Sequence, residues 1–123
     1  MRWATVWEAA WPNGDADAIA ALYAAQAVFV SHPFREQQPP REYVSWAFDE
    51  QSAAECRFGV PVVDGERAAI DWWAVVTAHD GSEQSLAGTS LLRFDAHGLV
   101  VEQRDAWGHV GERRELPDWA RRG

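Results

Sequence analysis

Residues 66–81, ERAAIDWWAVVTAHDG, are followed by SEQSLAGTSLLRFDAHG (82–98) and LVVEQRDAW (99–107), three β-type runs divided by turns at Gly81 and Gly98. Within the first run, Asp71, Trp73, Val75 and Thr77 alternate with Ile70, Trp72, Ala74 and Val76, the period-two pattern of a strand. Both sets are largely apolar, so both faces of this strand must be covered. The three runs specify an antiparallel meander. Upstream, Asp64 and Gly65 form a further hairpin signal. The run from Cys56 to Val63 reads as a strand with Pro61 at a bulge or edge.

The first half reads differently. Trp3, Val6, Trp7 and Ala10 share a helical face that ends at Pro12, Asn13 and Gly14, and Asp15 caps a second helix whose buried stripe is Ile19, Leu22 and Tyr23. A short strand, Val28 to His32, is expected to turn Val28, Val30 and His32 toward the helices, with Phe29 and Ser31 facing away. After the loop FREQQPP, a third helix is expected from about Arg41 to Ala54, with Tyr43, Val44, Ala47, Phe48 and Gln51 inward. Helices followed by strands predict an α+β domain: a cone-shaped, strongly bent antiparallel sheet packed on three N-terminal helices. One sheet face is then covered by helices. The other, bearing Ile70, Trp72, Ala74 and Val76, is expected to be covered by a second subunit, making a homodimer.

A chain of 123 residues suffices for one domain with its own core, so 1–123 is read as a single domain whose Arg-rich tail, 111–123, is expected to be mobile. The lone Cys56 has no internal disulfide partner, and MRWATVWEAA holds no unbroken apolar stretch. No membrane segment and a cytoplasmic location are therefore expected. A net charge of −8 repels phosphate backbones and argues against nucleic acid. The absence of lysine, with abundant alanine, points to a GC-rich bacterial genome and removes Schiff-base chemistry. Most of the eight tryptophans are expected in the core, and a cavity lined by them would favour a flat apolar or aromatic ligand.

Three stretches carry a resemblance to a known family: GDADAIAALYAAQAVFVSHP (14–33), LLRFDAHGLV (91–100) and VEQRDAW (101–107). They resemble the nuclear transport factor 2-like superfamily, with its cystatin-like fold, and within it the SnoaL-like and ketosteroid-isomerase-like bacterial members. The resemblance implies that fold and a small-molecule pocket. The isomerase pattern puts its catalytic carboxylate at His32, its oxyanion donors at Trp7 and Ser90, and further pocket-facing positions at Gln103, Asp105 and Trp107. The pattern of limonene epoxide hydrolase keeps only its last-strand Asp, at Asp105. Its paired Arg and Asp fall near Asp71 and Trp73.

These readings predict His32 as a general base, since imidazole titrates near neutrality. Asp105 or Asp71 would orient it, or the two carboxylates would share a proton and activate water. Asp71, flanked by apolar residues, must be paired, hydrogen-bonded or protonated, and an arginine or an indole N–H could equally satisfy it. Trp7, Ser90, Gln103, Trp73 and Trp107 are the expected substrate-binding residues. No tight ligand spacing supports a metal, and no cofactor is expected. Three functions remain open: cofactor-free proton-transfer chemistry of the isomerase, cyclase or hydrolase type, a binding protein with the same pocket and no turnover, and a dimeric interaction module.

Overall fold

The computed structural model describes residues 1–121. Helix α1 (Arg2–Asn13) buries Trp3, Ala4, Trp7 and Ala10 and closes on Gly14 at φ 62°, whose N–H bonds the carbonyls of Ala10 and Trp11. That left-handed turn is cheap only for glycine. The short helix α2 (Ala16–Ala20) starts at Asp15, whose carboxylate accepts from the Ala18 N–H at 3.1 Å. Strand β1 (Tyr23–Val30) follows, then helix α3 (Pro40–Asp49) and strands β2 (Gln51–Phe58), β3 (Val62–Asp64), β4 (Arg67–Ala78), β5 (Glu83–Phe94) and β6 (Val100–Val110). A 3₁₀ turn at Asp118–Arg121 ends the described chain.

The strands form one curled, mixed sheet in the order β1-β6-β5-β4-β2, with β3 paired to β4. The α+β cone expected from the order of elements is what forms, and the turns at Gly65, Gly81 and Gly98 all have positive φ. One pairing departs from the antiparallel expectation, because β1 runs parallel to β6. It also shortens α2. The alanines after Ile19 favour a helix by propensity, yet the Leu22 carbonyl accepts from the Val100 N–H at 2.9 Å and Tyr23 pairs with Val100. Ladder bonds together with burial of Tyr23 outweigh a few tenths of a kcal/mol of propensity per residue. Likewise α3 stops at Asp49, because Gln51 to Ala54 are claimed by β2 in its pairing with β4.

The two faces of β4 are assigned the other way round from the sequence expectation. Ile70 and Trp72 are 1% and 5% exposed and point toward the helices: Ile70 belongs to the core cluster that holds Trp3, Trp7 and Phe29, and Trp72 stands against Trp11 of α1. A homodimer through the face bearing Ile70, Trp72, Ala74 and Val76 is thereby overturned, since the chain covers Trp72 itself. The opposite face holds Trp73 and Val75, buried under Leu116, Trp119 and Ala120. Alternation reveals that both faces are apolar. It carries no information on which one meets the helices.

The segment after Gly111, expected to be mobile, is the cover of that second face. Ser85 Oγ donates to the Glu112 carbonyl at 2.8 Å and accepts from the Arg114 N–H at 2.8 Å, and Arg113 bridges Glu55 and Glu83. The ion pairs are exposed and contribute little. The apolar contacts of Trp119 and Ala120 hold the strap down. Residues 122 and 123 of the expected tail lie outside the described residues. Deleting residues 112–123 is expected to lower the unfolding free energy by ~3 kcal/mol and to cause self-association through the bared Trp73 and Val75. Urea denaturation and sedimentation would check this. A truncated protein of unchanged stability that stays monodisperse would contradict the covering role.

Candidate functional site

Between the inner sheet face and helices α1 and α3 lies a cavity of about 510 Å³. Tryptophans come from every side: Trp3, Trp7 and Trp11 from α1, Trp46 from α3, Trp72 from β4 and Trp107 from β6. Their edge-on contacts, such as Trp11 against Trp72 at 5.7 Å between centroids, are those favoured by aromatic quadrupoles. These rings make much of the wall apolar.

Most of these indoles use their N–H groups within the protein. Trp3 and Trp7 each donate to the Tyr23 hydroxyl at 3.3 Å, Trp11 donates to Gln51 Oε1 at 3.1 Å, Trp72 donates to Ser90 Oγ at 3.0 Å, and Trp107 donates to the Ser31 carbonyl at 2.6 Å. From Tyr23 the bonding continues in one direction. Its hydroxyl donates to Gln103 Oε1, which Trp3 also reaches at 3.3 Å. With Oε1 so occupied, the Gln103 amide turns its NH₂ to Asp105, 3.0 Å from Oδ1 and 3.2 Å from Oδ2. From the other side Ser90 Oγ, held by Trp72, donates to Asp105 Oδ1 at 2.6 Å. Two donor chains thus end on one carboxyl group.

Asp105 is surrounded by protein while part of its surface faces the cavity. Burial pushes its pKa up to about 7, with the bonds from Ser90 and Gln103 opposing that rise. Tyr23 is raised far above the ordinary phenol value by burial and stays protonated. A carboxyl group that gains and loses a proton near neutrality, inside an apolar cavity, can act as either acid or base.

The structure brings together Trp7, Ser90, Gln103, Asp105 and Trp107 around this cavity and leaves out three residues named from the sequence. Asp71 lies on the opposite sheet face, exposed, accepting from Thr89 Oγ1 at 2.9 Å. Trp73, two residues on, packs against the C-terminal strap. Both follow from the reversed faces of β4, and neither can meet a ligand in the cavity. His32 is displaced for a similar reason. Phe29 pairs with Gln103, an inward position of β6, and Phe29 and Ser31 are each 1% exposed, so alternation turns His32 away. Its ring stands edge-on to Trp107 at 5.2 Å, with Nδ1 3.4 Å from the Phe34 N–H. Among the described residues no hydrogen bond joins it to Asp105.

Among residues that the sequence does not single out for the site, Arg35, Tyr43 and Trp72 line the cavity, and Tyr23 lies behind its wall, bonded to Gln103. Tyr23 and Trp72 were visible as buried aromatics placed in the wrong element or on the wrong face. By its spacing in α3, Tyr43 looks like helix core. Arg35, within a proline-bounded loop, carries no pattern that would single it out. Among the described residues no group of three His, Cys, Asp or Glu side chains could hold a metal ion, and no helix is long and apolar enough to cross a membrane.

The SnoaL-like domain model matches residues 4–103. No curated protein sequence matches the chain. Among solved structures, SalBIII, an epoxide hydrolase/cyclase-like enzyme in pyran ring formation in the polyether salinomycin, is similar with a TM-score of 0.75 at 16% identity, over 87% of this chain and 88% of that one. An NTF2-like protein of unknown function from Exiguobacterium sp. 255-15 gives 0.70 at 20% identity, over 87% and 95%. A protein with a ketosteroid isomerase-like fold from Catenulispora acidiphila DSM 44928, in complex with trimethylamine, gives 0.68 at 20% identity, over 82% and 81%. At these identities the likeness is one of fold.

Proposed function

We propose, for a chain that belongs to the SnoaL-like domain family, cofactor-free proton transfer on a flat, largely apolar substrate, with Asp105 as the acid-base group. The observation that carries this reading is the buried Asp105 carboxyl, facing an aromatic cavity of about 510 Å³ and poised near pH 7 at the end of two donor chains. The ionised carboxylate removes a proton from a carbon next to a carbonyl, and the C–H electron pair moves into the new C=C bond as the carbonyl oxygen takes the charge. The Asp105 acid so formed returns the proton to the same or a conjugated carbon, completing an exchange or an isomerisation. Ser90 and Gln103 hold the carboxylate in one orientation, while the tryptophan walls exclude water and stack the substrate. SalBIII, described as epoxide hydrolase/cyclase-like, shares the fold.

The test is deuterium incorporation into β-tetralone, a planar ketone with acidic C–H bonds, followed by NMR in D₂O. Exchange above the buffer rate, together with quenching of tryptophan fluorescence on binding, is expected. If β-tetralone and related aromatic ketones bind without exchange, the chain is a binding protein. If none binds, the cavity is not a ligand site.

A further inference from the structure

Arg35 is the one arginine among the described residues lining the cavity, and with no lysine in the chain it is the only permanent cation there. It rises from the loop after β1, its guanidinium 5.4 Å over the Trp107 ring and its Nη1 donating to Ser31 Oγ at 3.1 Å. It forms no ion pair with a described residue. A guanidinium carries five N–H donors in a planar fork, so most of them remain available. Tyr43 lines the same cavity, packed on Phe29, and burial keeps its hydroxyl protonated while the Arg35 charge opposes that rise. By contrast, the two donors that the family resemblance offered are engaged: the Trp7 N–H on Tyr23 and the Ser90 hydroxyl on Asp105. Besides the Asp105 carboxyl, the aromatic part of the cavity thus carries a second polar group. It is the Arg35 guanidinium over Trp107, with Tyr43 in the same cavity.

We infer that Arg35 and Tyr43 form an oxygen-binding subsite that takes a carboxylate, or a carbonyl oxygen gaining negative charge, on a planar aromatic ligand stacked along Trp107. This rests on the reading of the cavity as a ligand site and names its substrate class: an aromatic acid or ketone with its oxygen on Arg35 and its reacting carbon toward Asp105. In the proton transfer described above, the C–H pair becomes the C=C bond and the carbonyl π pair moves onto that oxygen, where a guanidinium and a phenol hydroxyl stabilise the charge most.

Naphthoate and its neutral isostere naphthamide distinguish the possibilities, titrated against tryptophan fluorescence at a pH where Asp105 is largely protonated. The wild-type protein is expected to prefer naphthoate by about tenfold or more, as charge-assisted hydrogen bonds allow. Arg35→Gln should erase that preference and leave naphthamide binding within about a factor of two. Arg35→Lys should restore part of it, and Tyr43→Phe should weaken both ligands several-fold. Arg35 is exposed at the cavity rim, so equal thermal midpoints would confirm that these variants fold. A preference for naphthamide, equal affinities, or a naphthoate preference that survives in Arg35→Gln would overturn the subsite while leaving the cavity reading intact. Failure of both probes, with β-tetralone bound, would also overturn the subsite alone. Failure of all three would remove the cavity reading with it.

Discussion

Asp105→Asn is expected to slow proton exchange on a bound ketone by about 10²–10⁴-fold, the span that a positioned acid-base group supplies. The substitution keeps the shape. Asn Oδ1 can still accept from Ser90 and Gln103, whose donors lie 2.6 and 3.0 Å from Asp105 Oδ1. In the wild-type protein the base form grows as pH rises through about 7, so exchange should climb across that range and level off above it, whereas the variant should show no such step. Stability moves the opposite way. Because burial raises the folded-state pKa above its ordinary value, the stability associated with protonated Asp105 is fully present below about 3.8 and is lost as pH rises through about 7. At ~1.4 kcal/mol per pH unit, the wild-type protein should lose about 2–3 kcal/mol relative to Asp105→Asn between roughly pH 5 and pH 9. Urea denaturation of both proteins at the two pH values gives the difference directly. Parallel stability profiles, or an Asn variant that still exchanges at the wild-type rate, would remove Asp105 from the chemistry.

Gly88→Ala is expected to be the most destabilising single methyl group in the sheet. Gly88 pairs with Trp107 across β5 and β6. A Cβ there would lie 2.4 Å from Trp107 Cβ, 2.5 Å from the Ala106 carbonyl oxygen and 2.9 Å from Trp107 Cα. Ordinary cross-strand Cβ atoms stand about 4.5–5.5 Å apart. Two of the three obstructing atoms are backbone, and no rotamer change relieves them. The strands must therefore separate, breaking ladder bonds and carrying Trp107 off its bond to the Ser31 carbonyl. A cost of ~3 kcal/mol or more is expected, with ligand affinity falling as the cavity wall shifts. Gly108→Ala, on the same strand as Trp107 but with nothing within 4 Å of its Cβ position, serves as the control and should cost at most ~1 kcal/mol. If both variants unfold at the same urea concentration, the close approach at Gly88 does not govern the sheet.

Local pattern carried a good deal of this. The hairpins at Gly65, Gly81 and Gly98 were legible because glycine is the residue that adopts positive φ without strain. The inward phase of Gln103, Asp105 and Trp107 was legible from alternation along β6, together with the family resemblance of VEQRDAW. Where only one side of a strand is apolar, as with Cys56 between exposed Glu55 and Arg57 in β2, pattern also identifies the buried side. These are properties of neighbouring residues, and neighbouring residues are what a sequence displays.

Partner choice is not such a property. In β4, Trp72 and Trp73 are equally apolar and equally buried, at 5% each. Which of them meets the helices depends on how β4 registers with β5 and on a C-terminal strap that folds back to cover Trp73. The orientation of His32 was set by the parallel register of β1 on β6, a contact between segments more than seventy residues apart. The composition of the cavity, with Tyr23 and Gln103 relaying bonds to Asp105 and with Arg35 and Tyr43 in its lining, exists only once helix, loop and sheet enclose one space. Element order, turns and the alternation within strands were determined by the sequence itself, because they are short-range and stereochemical. Face selection and the convergence of polar groups on Asp105 were decided by the tertiary structure, because both are long-range consequences of which apolar surfaces find each other.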